Sequence, residues 1–156
     1  MLGLLEYRLK NLELKIRAME KVYTAVVTAT GGRQGHVNSS DGVIDMPLAL
    51  PVGAGKKNEK TNPEQLFAAG YAACFQSALL LIAGQHKERL NPESTVTAHV
   101  DLIKNDDGGY GLGVKLQVDL KELDKEKARQ LVDEAHQVCP YSVGTKGNIE
   151  VELEVV

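Results

Sequence analysis

The rhythm of hydrophobic and polar positions changes several times along this chain, and each change marks an element. Lys21 to Thr30 is rich in Val and Thr, a strand composition, and Gly31-Gly32 breaks it. Arg33 to Asn38 reads as extended, and Val43 to Met46 as a further short strand after the turn Ser40-Asp41-Gly42. Pro47 to Thr61 is a loop containing Gly and Lys. Asn62-Pro63 then starts a helix: Asn caps it, Pro fits the first helical position, and Glu64 suits the positive end of the dipole. The helix is predicted to run to Gln85 or His86, and it carries no charge from Ala68 to Ala83. A helix apolar all round is a buried one, so this should be the central core element.

Beyond it the period changes to two. Val96, Ala98, Val100 and Leu102 alternate with polar residues, as do Leu112, Val114, Leu116, Val118 and Leu120. Asn105-Asp106-Asp107-Gly108-Gly109 between them is a hairpin signal, so Ser94–Lys104 and Tyr110–Leu120 pair, each with one wet face. Asp124 caps a second helix with Ala128, Leu131, Val132, Ala135 and Val138 on its inner face, and Pro140 stops it. Ile149 to Val155 is a last alternating strand. Three strands, helix, two strands, helix, strand is the order of an α+β domain.

The first residues follow another pattern. Leu5, Leu9, Leu12 and Ile16 recur at helical spacing with charges between them, an amphipathic helix and not a secretory signal. Met19 opens the strand-like run, so residues 1–18 read as an N-terminal helical extension and 19–156 as one domain. The extension is either an upstream segment or an arm that packs on a partner.

Composition narrows the function. The chain has 156 residues, 43% of them hydrophobic, and a formal net charge of -3. That balance offers no basic face for nucleic acid or an anionic membrane, and no membrane span is expected. Two cysteines do not make a secreted disulfide framework, so a reducing cytoplasm fits, where any disulfide is transient.

Cys74 and Cys139 are the only cysteines, one inside the apolar helix and one at the end of the second. Each is either a small buried hydrophobe or one half of a reversible dithiol/disulfide pair. His36, His86, His99 and His136 are scattered, and no metal site is expected. His136 and Cys139 share a helix face, His136 being read as a satisfied surface histidine. Gly109-Tyr110-Gly111-Leu112-Gly113 opens a strand, not a helix, and Gly53-Ala54-Gly55-Lys56-Lys57 lacks phosphate-loop spacing, so neither is a nucleotide motif. Arg33, behind two glycines, and Glu64 are either a turn arginine and a dipole-matched carboxylate or a pair that holds a thiolate.

Several of these segments, in order, resemble one family: Thr30-Gly31-Gly32-Arg33-Gln34-Gly35-His36-Val37, Ser39-Ser40-Asp41-Gly42, the run from Asn62 to Phe75, and Val138-Cys139-Pro140-Tyr141-Ser142. Together they look like the organic hydroperoxide resistance (Ohr) family of the osmotically inducible, OsmC-like superfamily, over Met19 to Val156. The resemblance implies antiparallel sheets packed around two long helices in an intertwined homodimer, with active sites at the interface. It implies a thiol peroxidase that reduces organic hydroperoxides, with Cys74 peroxidatic, Cys139 resolving, and Arg33 and Glu64 the activating pair. No bound cofactor is implied; a dihydrolipoyl protein or other external dithiol would be the reductant. Phe67, Phe75, Met46 and Pro47 are candidate pocket walls, or simply core. The rival readings are an OsmC-type peroxidase of broader specificity and a non-catalytic small-molecule-binding dimer. One geometric difficulty stands out. Ten residues of helix separate Glu64 from Cys74, about 15 Å along the axis. Either Gly70 permits a bend, or Arg33 and Glu64 reach Cys74 from the partner subunit, which is the arrangement expected here.

Overall fold

The computed structural model describes residues 20–53 and 57–156. The helical extension expected over 1–18 and the middle of the Gly- and Lys-containing loop lie outside these residues. The order is β1 (Val27–Thr30), a 3-10 turn (Gly32–Gln34), β2 (His36–Ser39), β3 (Asp45–Pro47), α1 (Pro63–Gln85), β4 (Thr95–Lys104), β5 (Tyr110–Asp119), α2 (Lys125–Val138), α3 (Pro140–Thr145) and β6 (Val151–Val155). The strands form two three-stranded sheets, β1-β2-β3 and β4-β5-β6. All pairs are antiparallel except β5–β6, which runs parallel because α2 and α3 form the crossover between them.

The second sheet and the two long helices make the core. In the β4–β5 hairpin Val96 faces Val118, Ala98 faces Leu116 and Val100 faces Val114, so the two alternations share one apolar face. Tyr71, Phe75, Leu79 and Ile82 of α1 and Leu131, Val132 and Ala135 of α2 bury against it. Asn62 caps α1 by accepting the Gln65 N–H at 2.9 Å, and Asp124 caps α2 by accepting from Glu126 and Lys127. Val138 is exposed, contrary to its expected inward place. The 4-residue steps from Leu131 to Ala135 and onward lead to Cys139 instead, which takes the last inner position. Pro140 ends α2 as expected and also opens α3, since a residue without an N–H fits the first position of the next helix.

Two departures from the sequence reading share a cause. Only Val27–Thr30 of the Val- and Thr-rich run is paired, because the register ends with Val27 opposite Ser39. Val22 and Tyr23 stand 92% and 78% exposed, with no strand beside them among the described residues. Also, α1 is long and apolar enough to cross a membrane by length and composition, contrary to the expectation from the sequence. Its Tyr71–Ala83 stripe nevertheless packs into the core, while Leu80 and Leu81 on another side are each 57% exposed. The extended arm and the apolar helix both carry hydrophobic surface that a single chain leaves uncovered.

Candidate active site

Two half-sites stand on α1. The first is at its N-terminus. Gly31 and Gly32 adopt φ of +74° and +60°, a conformation side-chain-bearing residues rarely take, and this turns the chain tightly between β1 and β2. The sharp turn presents Arg33 in a 3-10 turn and not in the extended run anticipated from its sequence. Leu48 follows β3, donates its N–H to the Gly35 carbonyl, and bridges to Thr61 just before the α1 cap. The arginine turn and the first turn of α1 are thereby brought side by side. Arg33 grips Glu64 with both terminal guanidinium nitrogens: Nη1 donates to Oε1 and Oε2 at 2.9 and 3.1 Å, and Nη2 donates to Oε1. The Glu64 side chain is only 13% exposed, so this fork is better shielded than an ordinary surface ion pair.

The second half-site lies farther along α1. Cys74 and Cys139 face one another with their sulfurs 3.6 Å apart, Cys139 donating to Cys74. Both are free thiols. Cys139 is fully buried and Cys74 is partly exposed, so an incoming molecule meets Cys74 first. A disulfide needs the sulfurs at about 2.05 Å, which a small side-chain movement supplies. Burial pushes the Cys74 thiol above its ordinary pKa; the backbone N–H of Tyr141 opposes this, and the neighbouring Cys139 adds to it. Arg33 and Glu64 are not among the groups that act on this thiol within one chain. One chain thus brings thiol beside thiol and arginine beside carboxylate, with no hydrogen bond between the two pairs among the described residues. α1 is an uninterrupted helix across Gly70.

The remaining candidates divide. Phe67 is half-buried and meets Tyr71 and Tyr141 edge-on at 5.9 and 5.8 Å between ring centres. Phe75 is fully buried in the core cluster. Met46 and Pro47 lie on β3, Met46 half-buried and Pro47 exposed. His136 is not a satisfied surface histidine: its Nδ1 is buried without a partner, and its ring tilts against Phe75 with centres 6.4 Å apart. Burial, helped by repulsion from Lys146 and opposed by Asp133, holds its pKa below 6.5. Among the described residues no three His, Cys, Asp or Glu side chains gather as a metal site. Sequence reasoning overlooked Tyr71 and Tyr141. Spacing offered a signal, since Phe67, Gly70, Tyr71 and Cys74 are i, i+3, i+4 and i+7 on one helix face, and Tyr141 follows Cys139-Pro140 directly.

Comparison with known proteins shows which family the sequence and fold resemble. Residues 55–154 match the family model described as OsmC-like protein. Organic hydroperoxide resistance protein OhrA of Bacillus subtilis (strain 168) is 53% identical over 139 residues, 87% of this chain and 97% of its own. The crystal structure of OhrB from Bacillus subtilis is 48% identical and aligns with a TM-score of 0.81, covering 87% of this chain and 100% of that one. An organic hydroperoxide resistance protein of Vibrio cholerae O1 biovar eltor str. N16961, with captopril bound in one of its active sites, is 45% identical with a TM-score of 0.80, covering 88% of this chain and 94% of its own.

Proposed function

This chain belongs to the OsmC-like family and, within it, to the organic hydroperoxide resistance proteins, and we propose that it detoxifies organic hydroperoxides as a two-cysteine peroxidase. The observation that carries the reading is the contact of a partly exposed thiol with a fully buried one at 3.6 Å. In the first step the Cys74 thiolate attacks the terminal oxygen of the hydroperoxide. The O–O bond breaks, the alkoxide leaves and takes a proton as the alcohol, and Cys74 becomes a sulfenic acid. In the second step the Cys139 sulfur displaces hydroxide from that sulfenic acid, giving a Cys74–Cys139 disulfide and water. An external dithiol, such as a lipoylated protein, returns both thiols and is itself oxidised to a disulfide.

The burial that raises the Cys74 pKa works against the first step, so the reaction needs a cation near the sulfur. Arg33, already held in a fork by Glu64, is that cation, delivered from a second copy of the chain. Support for a homodimer comes from the uncovered hydrophobic surface: Val22, Tyr23, Val26 and Val27 along the arm, and Leu80 and Leu81 on α1. Surface of this kind marks an interface. A chain with only two cysteines, set to form a transient disulfide, suits a reducing compartment such as the cytoplasm. The experiment is direct: add cumene hydroperoxide to reduced protein and count free thiols. Both cysteines should disappear together, with one alcohol formed for each pair of thiols lost. Thiols that survive an excess of peroxide would leave only a non-catalytic binding protein.

A further inference from the structure

Tyr141 packs its side chain on the face of α1 one helical turn before Cys74. Its ring lies along the face of α1 that carries Phe67, Gly70 and Cys74, 5.8 Å from the Phe67 ring and 5.4 Å from that of Tyr71. It reaches this place because Gly70 lacks a side chain. A Cβ at Gly70 would lie 2.5 Å from the Tyr141 hydroxyl oxygen and 3.1 Å from Cζ, closer than such atoms approach. The next residue is pinned as well, the buried Tyr71 hydroxyl donating to Ser142 Oγ at 3.0 Å. Tyr141 follows Cys139-Pro140 directly, so the chain carries it past the thiol that contacts Cys74, and the residue remains 37% exposed.

We infer that Tyr141 is a specificity-determining residue: its ring, seated in the Gly70 notch one helical turn from Cys74, is the apolar wall against which hydroperoxides bearing alkyl or aromatic groups lie. The inference rests on the peroxidase reading for its substrate class. Hydrogen peroxide has no group to place against that wall; cumene hydroperoxide does. Losing one apolar wall changes discrimination by about ten- to two-hundred-fold in favourable cases.

Three variants separate this from a merely structural role. Tyr141→Ala removes the ring and keeps the N–H. It should lower kcat/KM for cumene hydroperoxide about tenfold or more, chiefly through KM, and change that for hydrogen peroxide far less. Gly70→Ala should produce the same selective loss by pushing the ring out of its notch. Gly70→Ala combined with Tyr141→Phe should recover much of it, because deleting the hydroxyl removes the 2.5 Å overlap. Rescue of one substitution by another is not expected from two independent structural defects. Equal losses for both peroxides, or no rescue in the double variant, overturn the inference. Alkylation of Cys74 in Cys139→Ser protein gives a reading that needs no peroxidase activity. Tyr141→Ala should lower the rate ratio of N-phenylmaleimide to iodoacetamide, and an unchanged ratio counts against the wall. If the parent protein consumes no hydroperoxide, the peroxidase proposal falls, and the alkylation ratio still decides the placement of Tyr141.

Discussion

At Cys74 two opposing effects meet on one sulfur. Burial disfavours the thiolate, and a single backbone N–H from Tyr141 favours it, with burial the larger. A peroxidatic thiol needs the anion, so its reactivity depends on what else approaches. If Arg33 supplies the missing charge, Arg33→Ala should move the Cys74 thiolate absorbance titration to higher pH and shift the rising limb of the pH–rate profile with it. A titration that does not move removes Arg33 from the site. The two cysteines should fail differently on substitution. Cys74→Ser should consume no organic hydroperoxide. Cys139→Ser should consume one equivalent rapidly and then halt, with the protein gaining one oxygen and, in excess peroxide, two or three by mass. Continued turnover in Cys74→Ser would reverse the assigned roles, although the buried position of Cys139 argues against direct attack there.

At the scale of elements, α2 carries a cost built into its last turn. His136 has a buried, unpartnered Nδ1, and its pKa lies below that of an unfolded histidine because burial disfavours the charged ring. The sign follows from linkage. Above about pH 6.5 both folded and unfolded states hold it neutral; as pH falls, the unfolded state takes the proton first and stability is lost. Between about pH 7.5 and 5.5 the parent protein should therefore lose more stability to urea than His136→Gln does. Equal losses would show that the ring is free to protonate where it sits. This histidine was unreadable as a sequence position, since nothing in His136-Gln137-Val138-Cys139 says that the helix turns the ring against Phe75. What was legible is what local chemistry dictates: the Asn62-Pro63 and Asp124 caps, the two alternating strands and the uncharged α1. Pairing geometry was less accessible. The Val- and Thr-rich run promised a strand as long as its composition, but a strand extends only as far as a neighbour does. Pro140 was readable as a stop and not as a start, because the residue serves both roles with the same missing N–H. Val138 was placed inward by extending a stripe that in fact steps to Cys139, and that step brings the second thiol to the first.

For the whole molecule, the open question is how the two half-sites on α1 become one. Arg33 and Glu64 close on each other at the helix start, Cys74 and Cys139 close on each other farther along, and no bond joins the pairs within a chain. Ten residues of continuous helix separate Glu64 from Cys74, about 15 Å along the axis between their backbone positions. A two-fold dimer resolves this, because a self-complementary interface lets one chain's arginine pair meet the other chain's thiols, twice. The bare arm around Tyr23 and the exposed Leu80 and Leu81 are surfaces such an interface would cover. Subunit mixing tests the arrangement. Cys74→Ser chains and Arg33→Ala/Glu64→Ala chains should each be inactive alone. In a heterodimer that shares sites across the interface, the intact Cys74 of one chain meets the intact Arg33 and Glu64 of the other, and the second site lacks all three. Purified heterodimers, made by co-refolding two differently tagged chains, should therefore regain about half the activity of the parent dimer. If each site is built within a single chain, both sites in the heterodimer carry a defect, and the mixture stays as inactive as its parents.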